Sequence, residues 1–407
     1  MDDSTVIKWV KEKTGLGDNL NHETLKAWQR EKLSSVAEYA AGRTKFYASM
    51  IDPSAPLEEM PFTLPSDLAA DPLAFLAIPL NEVVRVTTLA HSGTTALRKR
   101  VFFSAADIER TIEFFAVGMS TMTLAGDRVS ILISNPTENS LGSLLRTSLS
   151  RIGVEATIAP AIRSVDEALK AAQGADCLVG MPGEMLYMCH AFPWLKPRSL
   201  LLAGDIVPPP LADTIREIWQ SDLYIHYGHS EFGYGCAVDC THHQGLHTRD
   251  ADLVFEVIDP VTGKASAPGE VGEIVITTLT ESAMPLIRYK TGNLSRLIDS
   301  RCQCGGMTHM ISPVEGRVSN NIPIGNGRHL NIYQLDNLIF ANRSVRGFNA
   351  FLKNENGRIT LDLVIESREK ISPSLLREAL FEDISLRVSY GNADPFRQRA
   401  KRRIKVS

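Results

Sequence analysis

Long apolar runs are missing from this sequence: none approaches the roughly 20 residues that cross a bilayer, which excludes a membrane-spanning helix as the expectation. A dominant charge is missing too. The formal net charge is -4, and only the tail "RQRAKRRIKVS" is locally basic. A nucleic-acid partner would need a basic face able to displace counterions, so none is expected. Cysteine is sparse, six in 407 residues, too few for a disulfide scaffold. The first residues, "MDDSTVIKWVKEKTG", carry acidic side chains at their head and lack the apolar segment of a secretion signal. Internal repeats and low-complexity tracts do not stand out. The expectation left standing is a soluble, cytoplasmic, globular protein, with 44% hydrophobic and 22% charged residues. At this length a large domain plus at least one smaller one is expected.

Read for pattern, the chain changes texture several times. "HETLKAWQREKLSSVAEYA" sets Leu25, Trp28, Leu33, Val36 and Tyr39 at helical spacing, predicting a helix with one face on a core. A proline-rich connector follows, then two β-type runs, "EVVRVTTLA" and "KRVFF", flanking the loop "HSGTTAL". Ser104 and Asp107 make a capping-box start for the helix "AADIERTIEFFAVGM". From "RVSILIS" to "LYIHYG" apolar runs alternate with amphipathic ones, which predicts a parallel sheet covered on both faces. Ligands on such sheets sit beyond the strand carboxyl ends. "DLVFEVIDPVTGKASAPGEVGEIVITTL" reads as a β hairpin around Pro/Gly turns. From about residue 317 the order helix, strand, strand, helix, strand predicts a small α+β domain. The fold class is therefore α/β: a large multi-layer N-terminal domain with mostly parallel sheets plus a β-rich subdomain over 1–316, and a small mobile α+β C-terminal lid over 317–407.

The segment "HSGTTALRK" concentrates backbone N–H groups, hydroxyls and cations, the donors that hold phosphate oxygens. It is not a Walker A loop, since it lacks that spacing and joins strand to strand. A plain polar turn accounts for the residues equally well when they are taken alone. Their company decides the reading. "HSGTTALRK" resembles the T-S-G-T-T-G-x-P-K loop of the adenylate-forming (AMP-dependent) synthetases and CoA ligases. "YGHSE" at 227–231 resembles their Y-G-x-T-E motif, "YKTGN" at 289–293 their Y-x-T-G-D, and "EGR" at 315–317 their hinge-proximal arginine. "GEIVITTLTESAMPLIRYKTG" and the amino-terminal "LKAWQREKL" with "KFY" are similar to the phenylacetate–CoA ligase-like branch, and the resemblance covers nearly the whole chain.

That resemblance implies two half-reactions. A carboxylate attacks the α-phosphate of ATP, giving acyl-AMP and pyrophosphate; a thiol, usually coenzyme A, then displaces AMP. It implies that Ser92, Gly93, Thr94, Thr95 and Lys99 embrace the pyrophosphate portion, and that Glu231 holds Mg²⁺, a hard cation suited to an oxygen ligand. Tyr227, within the Tyr227–Gly228 and Ser230–Glu231 element, would lie beside adenine, with Ala203, Gly204 and Asp205 at the edge of the base. Asn293 and Arg317 occupy the ribose positions. "AKRRI" is similar to the branch's GKxxR ending, which makes Lys401 the lysine delivered to the α-phosphate. The implied partners are a small-molecule carboxylic acid, ATP and coenzyme A, with neither nucleic acid nor membrane; a homodimer is entertained without a sequence feature that specifies it.

Three positions depart from the pattern. Ala96 replaces the last glycine of the loop, Arg98 the proline, and Asn293 the ribose aspartate. The last exchanges a carboxylate for an amide with one acceptor oxygen. A ligase descendant that binds nucleotide or acyl groups without turnover, and an adenylating enzyme with another acceptor, are the alternatives these departures leave open. Beside these motifs, "CAVDCTHHQGLH" and the later "CQCGG" have the tight Cys spacing, glycines and histidines of a tetrahedral structural Zn²⁺ site. The branch's pattern implies Cys240, His247, Cys302 and Cys304 as the ligands, with Cys236, His242 and His243 as alternates. Cys177 and Cys189 lie in apolar text and are expected in the core.

Overall fold

A computed structural model describes residues 4–90, 98–133, 140–305, 307–325, 327–355, 358–371, 376, 384–398 and 401–406. The chain folds into two compact units, each assembled from separated stretches. The first comprises Met1–Leu124, Thr137–Gly153 and His226–Pro313; the second comprises Ala125–Pro136, Val154–Ile225 and Val314–Ser407.

In the first unit, Asn21 starts the helix His22–Arg43 with a reciprocal capping box to Thr24. The expected face is buried at Leu25, Leu33 and Val36, but Trp28 and Tyr39 are only half-buried. Gln29 takes the inner position instead, because its amide satisfies the Asp250 carbonyl at 2.9 Å. Val83–Ala90 and Arg98–Ser104 form an antiparallel hairpin in which Leu89 lies opposite Lys99. Ser104 then caps the helix Ala105–Met119. Leu253–Ile258, Gly272–Thr278 and Tyr289–Ser295 make the antiparallel β element read from the sequence as a hairpin and add a third strand to it.

In the second unit, Glu155–Ile158, Arg128–Ile131, Cys177–Gly180, Ser199–Leu202 and residues 222–225 of the strand Asp222–Tyr227 lie side by side in that order, all parallel. Every residue of Cys177–Gly180 and Ser199–Leu202 is buried, which is why these strands read as continuous apolar text. The edge strand Glu155–Ile158 alternates between exposed and half-buried. The C-terminal stretch contributes the helix Ile332–Phe340 and a four-stranded sheet in the order Ile384–Tyr390, Arg358–Ser367, Val345–Glu355, Ile404–Val406. Leu178, Leu200, Trp219, Leu335, Ile339, Leu361 and Leu363 share one apolar core, so this unit buries the C-terminal sheet and the parallel strands together.

Asp107 ties the first unit's layers. Its Oδ2 accepts from the Ser104 N–H and hydroxyl, both at 2.8 Å, and from the Ala283 N–H at 3.0 Å. Asp107→Ala removes a helix cap and leaves the buried Ala283 donor unpaired, so it is expected to cost about 2–4 kcal/mol. Urea unfolding of the two proteins measures this; a midpoint within error of the parent's would contradict it.

Candidate functional site

Lys99, Glu231 and Tyr289 arrive from three segments of the first unit and meet. Lys99 is presented by the strand Arg98–Ser104, Glu231 by the 3₁₀ turn Ser230–Phe232, and Tyr289 opens the strand Tyr289–Ser295. Lys99 Nζ lies 2.5 Å from Glu231 Oε1 and donates to the Tyr289 hydroxyl at 3.2 Å; that hydroxyl donates to the same carboxylate oxygen at 2.9 Å. The other oxygen, Oε2, is 2.7 Å from His229 Nδ1. Glu231 is 5% exposed. Burial pushes its carboxyl up, but His229 and Lys99 outweigh that and hold it well below the usual carboxylate range. The Tyr289 phenol is pushed well up by burial and then by the Glu231 charge, so it stays a donor. His229, read from the sequence as the variable residue of its motif, is thus a neighbour of the carboxylate. Tyr289 was missed as its partner. The signal was its place at the head of "YKTGN".

Backbone geometry enforces this meeting. A Cβ on Gly228 would sit 1.8 Å from the Tyr234 carbonyl oxygen, so only glycine lets the chain fold back after Tyr227. Arg288, just before Tyr289, has φ of 47°, an uncommon conformation for a residue with a side chain. It is held by Glu256 at 2.8 and 3.1 Å and by the carbonyls of Glu58 and Met60 at 2.9 and 2.8 Å. Gly233 and Gly235 lie close to the helix Ala105–Met119. Side chains there would meet Thr111 at 2.3 Å and Phe114 at 2.8 Å, so the protein's own packing requires their smallness.

Asn293 Nδ2 donates to the Tyr227 hydroxyl at 3.1 Å, and both residues are buried. The Tyr227 phenol, raised by burial, keeps its own proton. The amide acts as a donor here, a role that an ionised aspartate lacks. Ser92, Gly93, Thr94, Thr95 and Ala96 lie outside the described residues.

Ala203, Gly204, Asp205, Arg317 and Lys401 belong to the second unit. Ala203 continues the strand by donating to the Gly180 carbonyl at 3.1 Å, and Gly204 turns the chain with φ of 89°. Asp205 Oδ1 accepts from the Ile206 N–H at 2.9 Å. Lys401 lines a cavity of about 480 Å³ with Gly183, Phe348, Arg402, Arg403 and Lys405.

A second constellation lies in the first unit. The ligand atoms of Cys240, His247, Cys302 and Cys304 fall within 4.8 Å of one another, and all four residues are buried. Cys240 and Cys302 sulfurs are 3.5 Å apart, and Cys304 Sγ is 3.3 Å from His247 Nε2. His247 Nδ1 is 2.8 Å from the Thr308 hydroxyl, the outer hydrogen bond that orients a ligating imidazole. Three thiols and an imidazole suit a tetrahedral metal. The alternates go elsewhere: His242 and His243 are exposed, His243 engages Asp239 at 2.7 Å, and Cys236 bonds its backbone to Tyr227. Cys177 and Cys189 are core residues whose thiols burial pushes up to about 12.

The Glu231 carboxyl titrates lower in the folded chain than in the unfolded one. Its stabilising contribution is therefore complete above the unfolded value near pH 4.3, and it is lost as pH falls toward the folded value. Glu231→Gln is expected to cost about 3 kcal/mol at pH 7, with the difference shrinking below about pH 4.5. Denaturant titrations at stepped pH check this. A difference that stays flat down to the acid transition would refute it.

No family model matches the chain. The phenylacetate-coenzyme A ligase of Thermus thermophilus is 27% identical, across 90% of this chain and 87% of its own length. That of Pseudomonas putida is 30% identical, across 60% of this chain and 57% of its own. The crystal structure of 2-hydroxyisobutyryl-CoA ligase in the postadenylation state, in complex with 2-HIB-AMP, shares the fold. Its TM-score is 0.77 at 18% identity, covering 95% of this chain and 90% of that one. These likenesses span nearly the whole chain: it is similar in sequence to phenylacetate-coenzyme A ligases and shares the fold of 2-hydroxyisobutyryl-CoA ligase, and its Lys99 and Glu231 meet in one cluster.

Proposed function

We propose that the protein uses ATP to activate a small carboxylic acid as its acyl-adenylate and then transfers the acyl group to coenzyme A. The observation that carries this is the buried Glu231 with Lys99 on one oxygen, at the two motif positions where the family places its metal-holding carboxylate and its phosphate-loop lysine. In the first half-reaction a carboxylate oxygen of the acid bonds to the α-phosphorus and pyrophosphate leaves. In the second the thiol of coenzyme A attacks the acyl carbon and AMP leaves. The first step brings two anions together, so positioning and charge neutralisation supply most of its catalysis.

On this reading Lys99, with the loop Ser92–Thr95, takes the pyrophosphate portion of ATP. Glu231 supplies the hard oxygen that holds Mg²⁺, whose charge offsets that of the phosphates. Tyr227, Gly228 and Ser230 with Ala203–Asp205 border the adenine, Asn293 and Arg317 take the ribose, and Lys401 serves the α-phosphate. Residues 317–407 act as the lid, and the enzyme works in the cytoplasm. The Cys240, His247, Cys302 and Cys304 quartet fits a structural Zn²⁺, since four protein donors leave no position for a reacting water.

ATP–pyrophosphate exchange over a panel of aliphatic and aromatic acids, followed by mass analysis of thioester formed with coenzyme A, tests the activity. Exchange with at least one acid and a thioester are expected; tight ATP binding without exchange on any acid would overturn the proposal. Asn293→Asp restores a carboxylate at the ribose position and is expected to lower the KM for ATP by about tenfold. An unchanged or raised KM removes Asn293 from the nucleotide site. For the metal, about one zinc per chain is expected. Cys302→Ser should lose it and lower the melting temperature, and elemental analysis of the purified protein decides.

A further inference from the structure

Arg402 is fastened at four points by partners that lie apart in the sequence. Its backbone N–H donates to Asp205 Oδ2 at 2.9 Å, and its Nη2 donates to the Ile206 carbonyl at 2.8 Å. The same Nη2 lies 3.1 Å from Asp336 Oδ2, and the guanidinium sits 5.3 Å from the centre of the Phe340 ring. Asp336 projects from the helix Ile332–Phe340 and is 0% exposed; its oxygens accept no hydrogen bond among the described residues, and the Arg402 ion pair is their compensation. One cation thus stands between two carboxylates, one on the loop that follows the strand Ser199–Leu202 and one in the interior. A buried carboxylate that loses its cation is costly, so the guanidinium cannot leave without a penalty. Two residues further on, the chain enters the strand Ile404–Val406, whose Ile404 pairs with Ala350. Lys401 is therefore followed within three residues by an anchor on the Asp205 loop and by a fixed strand register.

We infer that Arg402 is a positioning residue that holds Lys401 in place by clamping its segment to the Asp205 loop and to the buried Asp336. The catalytic consequence rests on the proposed ligase reading; the clamp itself does not. Arg402 is assigned no contact with reacting atoms. Its part is to fix the main chain one residue from the ammonium that has to reach the α-phosphate, where a displacement of about 1 Å is enough to cost 100-fold in rate. The charged groups facing Asp336 are Arg402 and Asp205. The helix Pro209–Trp219 packs against the same helix, but its exposed Asp213 pairs with the half-buried Arg216 and its exposed Glu217 pairs with Arg343. Burial first, and Asp205 second, push the Asp336 carboxyl up to about 7 against the pull of Arg402. The pair therefore grips harder as pH rises through neutrality.

The test uses the full chain and three variants: Arg402→Met, Arg402→Lys, and Arg402→Met combined with Asp336→Asn. Arg402→Met should lower the maximal rate of ATP–pyrophosphate exchange about 100-fold while leaving the KM for ATP within about threefold. Because it strands Asp336, it should also lower the melting temperature. The double variant removes both charges and should recover the melting temperature without recovering the rate. Arg402→Lys, which keeps charge but not the fork, should restore part of the rate. A double variant that regains rate and stability together, or an Arg402→Met protein exchanging like the parent, would overturn the assignment. Amide hydrogen exchange without ligands supplies a readout independent of activity. Residues 402–404 should exchange about tenfold faster in the double variant than in the parent, with the first unit unchanged. Unchanged protection there refutes the clamp, whether or not the protein proves to be a ligase.

Discussion

The first unit is organised around a carboxylate that has been taken out of water. Glu231 is stable as an anion only because Lys99, Tyr289 and His229 face it, and those residues come from a hairpin strand, a β strand and the preceding turn. Desolvation works against the charge, and the neighbouring cation and donors more than offset it. The local backbone serves that arrangement. Gly228 permits the tight return, and the left-handed Arg288 is pinned by four bonds immediately before Tyr289.

The same logic of few, well-placed polar groups recurs in the second unit. There Asp336 is enclosed in the apolar core that joins the parallel strands to the C-terminal sheet, and its compensating cation belongs to the last described stretch of chain. A buried acid is a strong constraint because it cannot be satisfied approximately. Through Arg402 it ties the chain next to Lys401 to that core.

The Cys/His quartet shows a third form of the constraint. His247 stands on the strand Leu246–Thr248, opposite Met310, while Cys302 and Cys304 lie in the turn before that partner strand. Strand pairing thereby brings "CTHHQGLH" and "CQCGG" together across about sixty positions of chain. The spacing alone left seven candidates, and the antiparallel register selects four that converge.

The capping box at Ser104 and the parallel strands were legible in the linear text. Each depends on residues near one another in sequence: periodicity, caps, and runs of buried β-branched or leucine-rich text. Other features were not legible. Gln29 rather than Trp28 points inward because a carbonyl 221 residues away needs a donor. Gly233 and Gly235 are small because Thr111 and Phe114 press on them, and His229 matters because it faces its own motif's carboxylate. By itself the sequence determined which chemical groups this protein owns and which strands and helices carry them. Only the tertiary structure decided which of those groups touch, since long-range pairing of buried charges is set by packing and desolvation, and neither leaves a periodic trace in the chain.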